Sequence, residues 1–144
     1  MKMHDERRTR EYMEKALLDV SFPGGKRVDA KIGKFVAKTD QSITYGGDAS
    51  APEPFQLFLA SLATCAGIYA LNFCQVRKIE TNGMSLTMEC EWDEEKKRYE
   101  KFSLNLKLPE GFSQKYRKAV IKSMDLCAVK RHMVDPPEFE ITTS

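Results

Sequence analysis

The chain has 144 residues, the length of one ordinary domain and enough to bury a core. Its 42% hydrophobic and 31% charged content excludes an intrinsically disordered chain. A net charge of +2, from 23 basic and 21 acidic residues with interspersed signs, gives no electrostatic case for nucleic acid.

Residues 1–15, MKMHDERRTREYMEK, read as a loose arm or a short helix. They are charged and lack the apolar stretch of a secretory signal peptide. The expected location is therefore the cytoplasm, where disulfides are transient or catalytic. Leu18, Val20 and Phe22 alternate and predict a strand running into a turn at Pro23-Gly24-Gly25. Val28, Ala30 and Ile32 alternate on the far side, and Gly33 predicts a bulge or turn before extended structure at 35–38. Residues 39–54, TDQSITYGGDASAPEP, read as a loop with room for one short strand.

A helix is expected over about 54–76, with Pro54 suited to its first turn. No charge falls between Pro54 and Val76, so the segment is long and apolar enough to span a bilayer. Gln56, Ser61, Thr64, Gly67, Asn72 and Gln75 interrupt it, and the amphipathic strands around it need a partner. The expectation is the central helix of a soluble core, with no membrane.

Met84, Leu86, Met88, Cys90 and Trp92 alternate with polar residues, which predicts a half-buried strand. After a charged turn over 93–98, Phe102, Leu104, Leu106 and Leu108 give its hairpin partner. Ser113 can cap a second helix with a stripe of Tyr116, Ala119, Val120, Met124 and Cys127. Asp135-Pro136-Pro137 ends any helix, and Phe139 and Ile141 suggest a final strand. The order predicts one α+β domain over 1–144, with helices packed on antiparallel sheets.

The candidate chemistry is thiol chemistry. Cys65, Cys74, Cys90 and Cys127 form neither a C-x-x-C pair nor a zinc-type spacing, and His4 and His132 are too few for a His-rich metal site. A Cys65, Cys127 and His132 metal site has no spacing motif behind it, so no metal is predicted. No glycine-rich phosphate loop follows a strand. Cys65 sits inside the long helix, where a free cysteine can be a small core hydrophobe; Cys74 and Cys90 read as packing. Cys127 stands where the second helix runs out, before Ala128-Val129-Lys130-Arg131-His132. If a short helix begins there, its amides and dipole favour a thiolate, and Lys130, Arg131 or His132 add positive charge. Otherwise Cys127 closes the apolar stripe, and His132 is an ordinary surface residue.

Tyr45-Gly46-Gly47 and then APEPFQLFLASLATC, residues 51–65, resemble the signature of the OsmC/Ohr family. There a glycine pair and an (A/S)-P-x-P element lead into a helix with a Leu-Ala-x-Cys pattern. Cys127-Ala128-Val129 is similar to that family's second motif, Cys-Pro-Val, and the likeness covers about residues 16–143. The resemblance implies an intertwined homodimer with long central helices between curved sheets and sites at the dimer interface. It also implies a peroxidase acting on small organic hydroperoxides. Cys65 would be the peroxidatic nucleophile and Cys127 the resolving cysteine, reset by an external dithiol or thiol. Two cysteines and a reductant suffice, so no cofactor is implied.

In family peroxidases an arginine from the early hairpin supports the thiolate and is held by a glutamate near the start of the helix. In Gly24-Gly25-Lys26-Arg27 the candidate is Arg27, with Lys26 second; both otherwise read as solvated turn charges. Phe55, Phe58, Leu59 and Leu62, with Gln56 beside them, would supply a pocket suited to an alkyl peroxide. The family's glutamate lies ten residues before the first cysteine, where this chain has Phe55, and Ala128 replaces the second motif's proline. These departures point to a general OsmC-like branch. They leave open another cysteine reaction, such as carrying or reducing sulfur, and a non-catalytic small-molecule or protein-binding dimer.

Overall fold

The computed structural model describes residues 18–144, which fall into two units, 18–57 and 58–144. The N-terminal stretch 1–15 lies outside the described residues. In the first unit the period-two alternation forms β1 (Leu18–Gly24), antiparallel to β2 (Arg27–Ile32), with Leu18 opposite Ile32. The turn is Gly25-Lys26, one residue later than expected, because Gly24 stays on the strand opposite Arg27. The register shifts between Ser21 and Gly24, around Pro23, whose missing N–H suits an irregular edge. Gly33 and Lys34 make the next turn and feed β3 (Phe35–Ala37), antiparallel to β2.

The loop that follows holds a 3-10 turn, Ile43–Tyr45, and no strand, though the sequence left room for a short one. Its organiser is Asp40, which is fully buried. One carboxylate oxygen accepts the Gln41 amide (2.8 Å). The other accepts the Asp48 amide (3.2 Å), the Ser50 amide (3.1 Å) and the Ser50 hydroxyl (2.7 Å). These bonds take the Gln41, Asp48 and Ser50 amides out of any ladder. The Ser50 hydroxyl does most to pull the Asp40 pKa from its ordinary 3.8 down to about 2, and the amides add to it.

A folded-state pKa below the unfolded one means the ionised form belongs to the fold. The stabilisation is complete above pH 3.8 and is lost as pH falls toward 2. Urea midpoints measured from pH 6 to pH 2 are expected to drop across that window. Asp40→Asn should be less stable at pH 6 and should flatten the slope, since an amide cannot accept from donors on both sides. An unchanged slope in the variant would assign the acid sensitivity to other carboxylates.

The long helix α1 (Pro54–Val76) begins on a cap of which only part was foreseen. Pro54 takes the first helical position, and the Glu53 N–H donates to Gln56 Oε1 (2.9 Å), one half of a capping box. In the second unit the helix buries Leu62, Ala66, Ala70, Phe73 and Cys74, a stripe at three- and four-residue spacing. That stripe meets the hairpin of β4 (Ser85–Asp93) and β5 (Arg98–Lys107), which pairs Leu86 with Leu106, Met88 with Leu104 and Cys90 with Phe102. Phe112 and the Val120 and Met124 side chains of α2 (Gln114–Met124) complete the cluster. The apolar helix is thus a core helix.

Phe73 anchors this core. Its ring meets Tyr116 edge-on (centroids 6.0 Å) and lies under the Arg77 guanidinium (3.8 Å), which also donates to the Phe73 carbonyl (3.2 Å). Burying such a ring is worth about 1.5–3 kcal/mol before the aromatic and cation terms.

Ser113 precedes α2 as expected, but only its carbonyl is used, by the Tyr116 amide (3.0 Å). Ala119 faces outward, so the buried stripe of α2 is narrower than the sequence suggested. A last helix, α3 (Ala128–Val134), stops before Asp135-Pro136-Pro137. The expected final strand does not form. Phe139 and Ile141 are exposed, and no strand edge among the described residues takes their backbone groups.

Candidate functional site

The second unit brings two of the sequence-selected side chains together. Cys65 is half-buried on α1, and Cys127 is buried in the short link between α2 and α3. The link is tight. The Leu126 amide donates to the Ser123 carbonyl and the Cys127 amide to the Met124 carbonyl, both at 3.2 Å. Cys127 then opens α3, its carbonyl accepting the Arg131 amide (3.0 Å). Its thiol lies near enough to the Cys65 sulfur for each to feel the other's charge.

Burial pushes the Cys127 thiol above its ordinary pKa, and the neighbouring Cys65 sulfur adds to the rise. The Lys130 and Val129 amides pull the other way but make no well-formed cap. The expected short helix is present, yet the expected cations act elsewhere. Lys130 Nζ pairs with Asp125 (2.5 Å), and His132 Nδ1 donates to the Ala128 carbonyl (2.6 Å). Among the described residues no group of three His, Cys, Asp or Glu side chains is placed to hold a metal ion.

A cavity of about 490 Å³ opens beside Cys127. Leu62, Phe102, Leu104, Met124 and Met133 line it, together with the Asp125 and Lys130 pair. Of the residues proposed from sequence for an apolar pocket, Leu62 lines it. Phe58 and Leu59 are half-buried and not in its wall. Phe55 is half exposed on the first helical turn, and the Gln56 amide is committed to the Glu53 cap. Phe102 and Leu104 were legible as inward positions of a strand, but nothing in the sequence said that they border a thiol.

Cys74 is fully buried, and burial raises its pKa against the opposing charge of Arg77. Cys90 is half-buried on β4. In the first unit Arg27 Nη1 pairs with Asp48 Oδ2 (2.9 Å), both groups partly exposed. The carboxylate that holds Arg27 thus comes from the glycine loop and not from the start of the helix. Glu53 is occupied too, accepting the Ser42 amide (3.0 Å). Lys26 lies in the turn next to Arg27, lining a shallow cavity with Phe22 and Tyr45.

A family model described as OsmC-like protein matches residues 47–142. No curated protein matches the chain. Solved structures do. An OsmC-like protein from Mycoplasma pneumoniae aligns with a TM-score of 0.68 at 14% identity, covering 86% of this chain and 90% of its own. A protein from Psychrobacter arcticus 273-4, named for an osmotic stress induced and detoxification response, aligns with a TM-score of 0.70 at 18% identity over 83% and 90%. An organic hydroperoxide resistance protein OsmC from Legionella pneumophila aligns with a TM-score of 0.54 at 21% identity over 84% and 90%. These likenesses establish the fold.

Proposed function

The chain belongs to the OsmC-like protein family, and from that premise we propose that it is a thiol-dependent peroxidase reducing small organic hydroperoxides. The observation that carries this reading is the nearness of the Cys65 and Cys127 sulfurs. Cys65 is half-buried and Cys127 buried, so Cys65 is the sulfur assigned to meet the peroxide. Its thiolate attacks the terminal peroxide oxygen, the O–O bond breaks and the alcohol leaves after protonation. The Cys65 sulfenic acid then condenses with Cys127, releasing water and forming a disulfide. An external dithiol or thiol returns both sulfurs to the reduced state.

Arg27, steadied by Asp48, is the cation assigned to the developing charge. Phe55, Phe58 and Leu59 are assigned to the alkyl group of the substrate. The working form is a homodimer in the cytoplasm. Exposed Leu18, Phe22 and Phe35 on the first sheet are apolar side chains that a second copy would cover. A second reading, cysteine chemistry on another sulfur compound, is favoured by Phe55 at the family's glutamate position.

The test is intact-mass and peptide-level mass spectrometry of the reduced protein, before and after one equivalent of an alkyl hydroperoxide. The expected result is a fast loss of two hydrogens, mapped to a Cys65–Cys127 bridge. Unreacted thiols, or slow oxidation spread over all four cysteines, would remove the peroxidase reading and favour the second.

A further inference from the structure

Cys127 is flanked in the chain by two opposite charges. Asp125 caps the end of α2 just before it, Lys130 sits in the first turn of α3 just after it, and their side chains meet at 2.5 Å. Both line the cavity that has Cys127 in its wall, and among the described residues of that wall they are the only charged ones. Cys65 is the titratable group that faces Cys127 from α1. We propose that Asp125 is a positioning residue for the thiol chemistry: it draws the Lys130 ammonium away from Cys127 Sγ, so that Cys127 stays a thiol while Cys65 meets the peroxide. The inference rests on reading Cys65 and Cys127 as a redox pair.

The reach of Lys130 is what makes the restraint matter. Helical side chains lean toward the helix N-terminus, and α3 begins on Cys127. The Lys130 amide already acts on the sulfur. An ammonium free to follow it would settle beside Cys127, against Leu62, Phe102 and Met124, where a nearby cation strongly favours a thiolate. Instead the ammonium is held by Asp125. The state of Cys127 agrees in sign. Burial and the Cys65 sulfur push its pKa up, and the pull against them comes from backbone amides. The pair is a poor brace for the fold, since its side chains are 64% and 49% exposed and exposed pairs add little stability. Its place beside a thiol sets it apart from hairpin pairs such as Lys101–Glu91.

The consequence is a division of labour. A thiolate at either sulfur can attack an O–O bond. If both are attacked, two sulfenic acids face each other and no thiol remains to condense with either. Each then goes on to sulfinic acid with further peroxide. A Cys127 kept protonated leaves one sulfenic acid and one thiol, the pair that closes to a disulfide with loss of water.

The experiment takes the full reduced chain and follows alkylation of Cys127 by iodoacetamide from pH 6 to pH 10, read by peptide mass spectrometry. Asp125→Asn removes the charge at an exposed position. It should move the Cys127 profile to lower pH and speed alkylation at pH 7.5 about threefold or more. Asp125→Glu should keep the profile of the unmodified chain, and Asp125→Asn combined with Lys130→Gln should return to it. A turn merely loosened by the substitution would raise the rate by one factor at every pH and leave the midpoint in place. That result, an unchanged profile in Asp125→Asn, or a shift that survives the loss of Lys130 would each overturn the proposal. No hydroperoxide enters the measurement, so a chain that fails with hydroperoxide can still pass here, and the reverse.

Discussion

Cys65→Ser is expected to abolish hydroperoxide reduction, by at least about a thousandfold, while Cys127→Ser should still consume one equivalent and then stall. The two sulfurs are near each other, but their surroundings differ. Cys127 is buried, with its pKa pushed up, whereas Cys65 is half-buried on α1. Serine at 65 leaves no sulfur to attack the O–O bond. Serine at 127 leaves the attacking sulfur in place and removes the group that resolves it, so a sulfenic acid accumulates on Cys65 and goes on to sulfinic acid with excess peroxide. Dimedone labelling followed by peptide mass spectrometry reads this directly. Label on Cys65 only in the Cys127→Ser protein is the expected pattern. Equal turnover in both variants, or full turnover without Cys65, would end the assignment of roles. The raised Cys127 pKa adds a pH signature, because the resolving step needs the thiolate. Closure of the disulfide should quicken with rising pH above neutrality and level off above the ordinary thiol range, while decay of the Cys127→Ser sulfenic acid should not follow that curve.

Legibility in the sequence followed the range of the interaction. The helix Pro54–Val76 was readable because its determinants are local: Pro54 at the first turn, an uncharged run, and charge resuming at Arg77. The β4–β5 hairpin was readable from alternation, since one face meets the core and the other meets water. Phe139 and Ile141 carry the same alternation and form no strand, because a strand also needs a neighbour's backbone, which alternation cannot report. Cys65 and Cys127 were singled out by motif. Their nearness depends on how the Met124–Cys127 turn folds, which no spacing rule encodes. Asp48 was missed as the partner of Arg27, and Asp40 as the centre of its loop, for one reason. An aspartate in a stretch rich in glycine and serine looks like a solvated charge until the donors around it are known. Gln56 is the converse case, a polar residue next to a candidate pocket whose side chain is already used by the helix cap.

Gly47→Ala is expected to be the most damaging single change in the first unit, and far worse than Gly46→Ala beside it. Backbone conformation alone would rank them the other way. Gly46 has φ of 81°, where a side chain costs about 1 kcal/mol, and Gly47 has no such angle. Contact reverses the order. A Cβ on Gly46 would meet only the flexible end of Lys26 at 3.7 Å. A Cβ on Gly47 would stand 2.0 Å from the Gln41 carbonyl oxygen and 2.9 Å from the Asp40 carboxylate, and the first of these is backbone. The loop must open to admit it. Opening draws the Asp48 and Ser50 amides off Asp40 and loosens the Gly47 amide from the Ser42 carbonyl (3.0 Å). The cost is about 3 kcal/mol or more, which lowers Tm by about 10 °C for a chain of this size. The same movement carries Asp48 away from Arg27, so the variant tests the proposed site as well as the fold. Sulfenic acid formation, followed below the lowered Tm, should slow in Gly47→Ala and hold in Gly46→Ala. A Gly47→Ala protein with unchanged Tm would mean that Gln41 and Asp40 can yield more easily than their hydrogen bonds imply. Lost stability with a normal oxidation rate would separate Arg27 from the chemistry and leave the two cysteines to carry it alone.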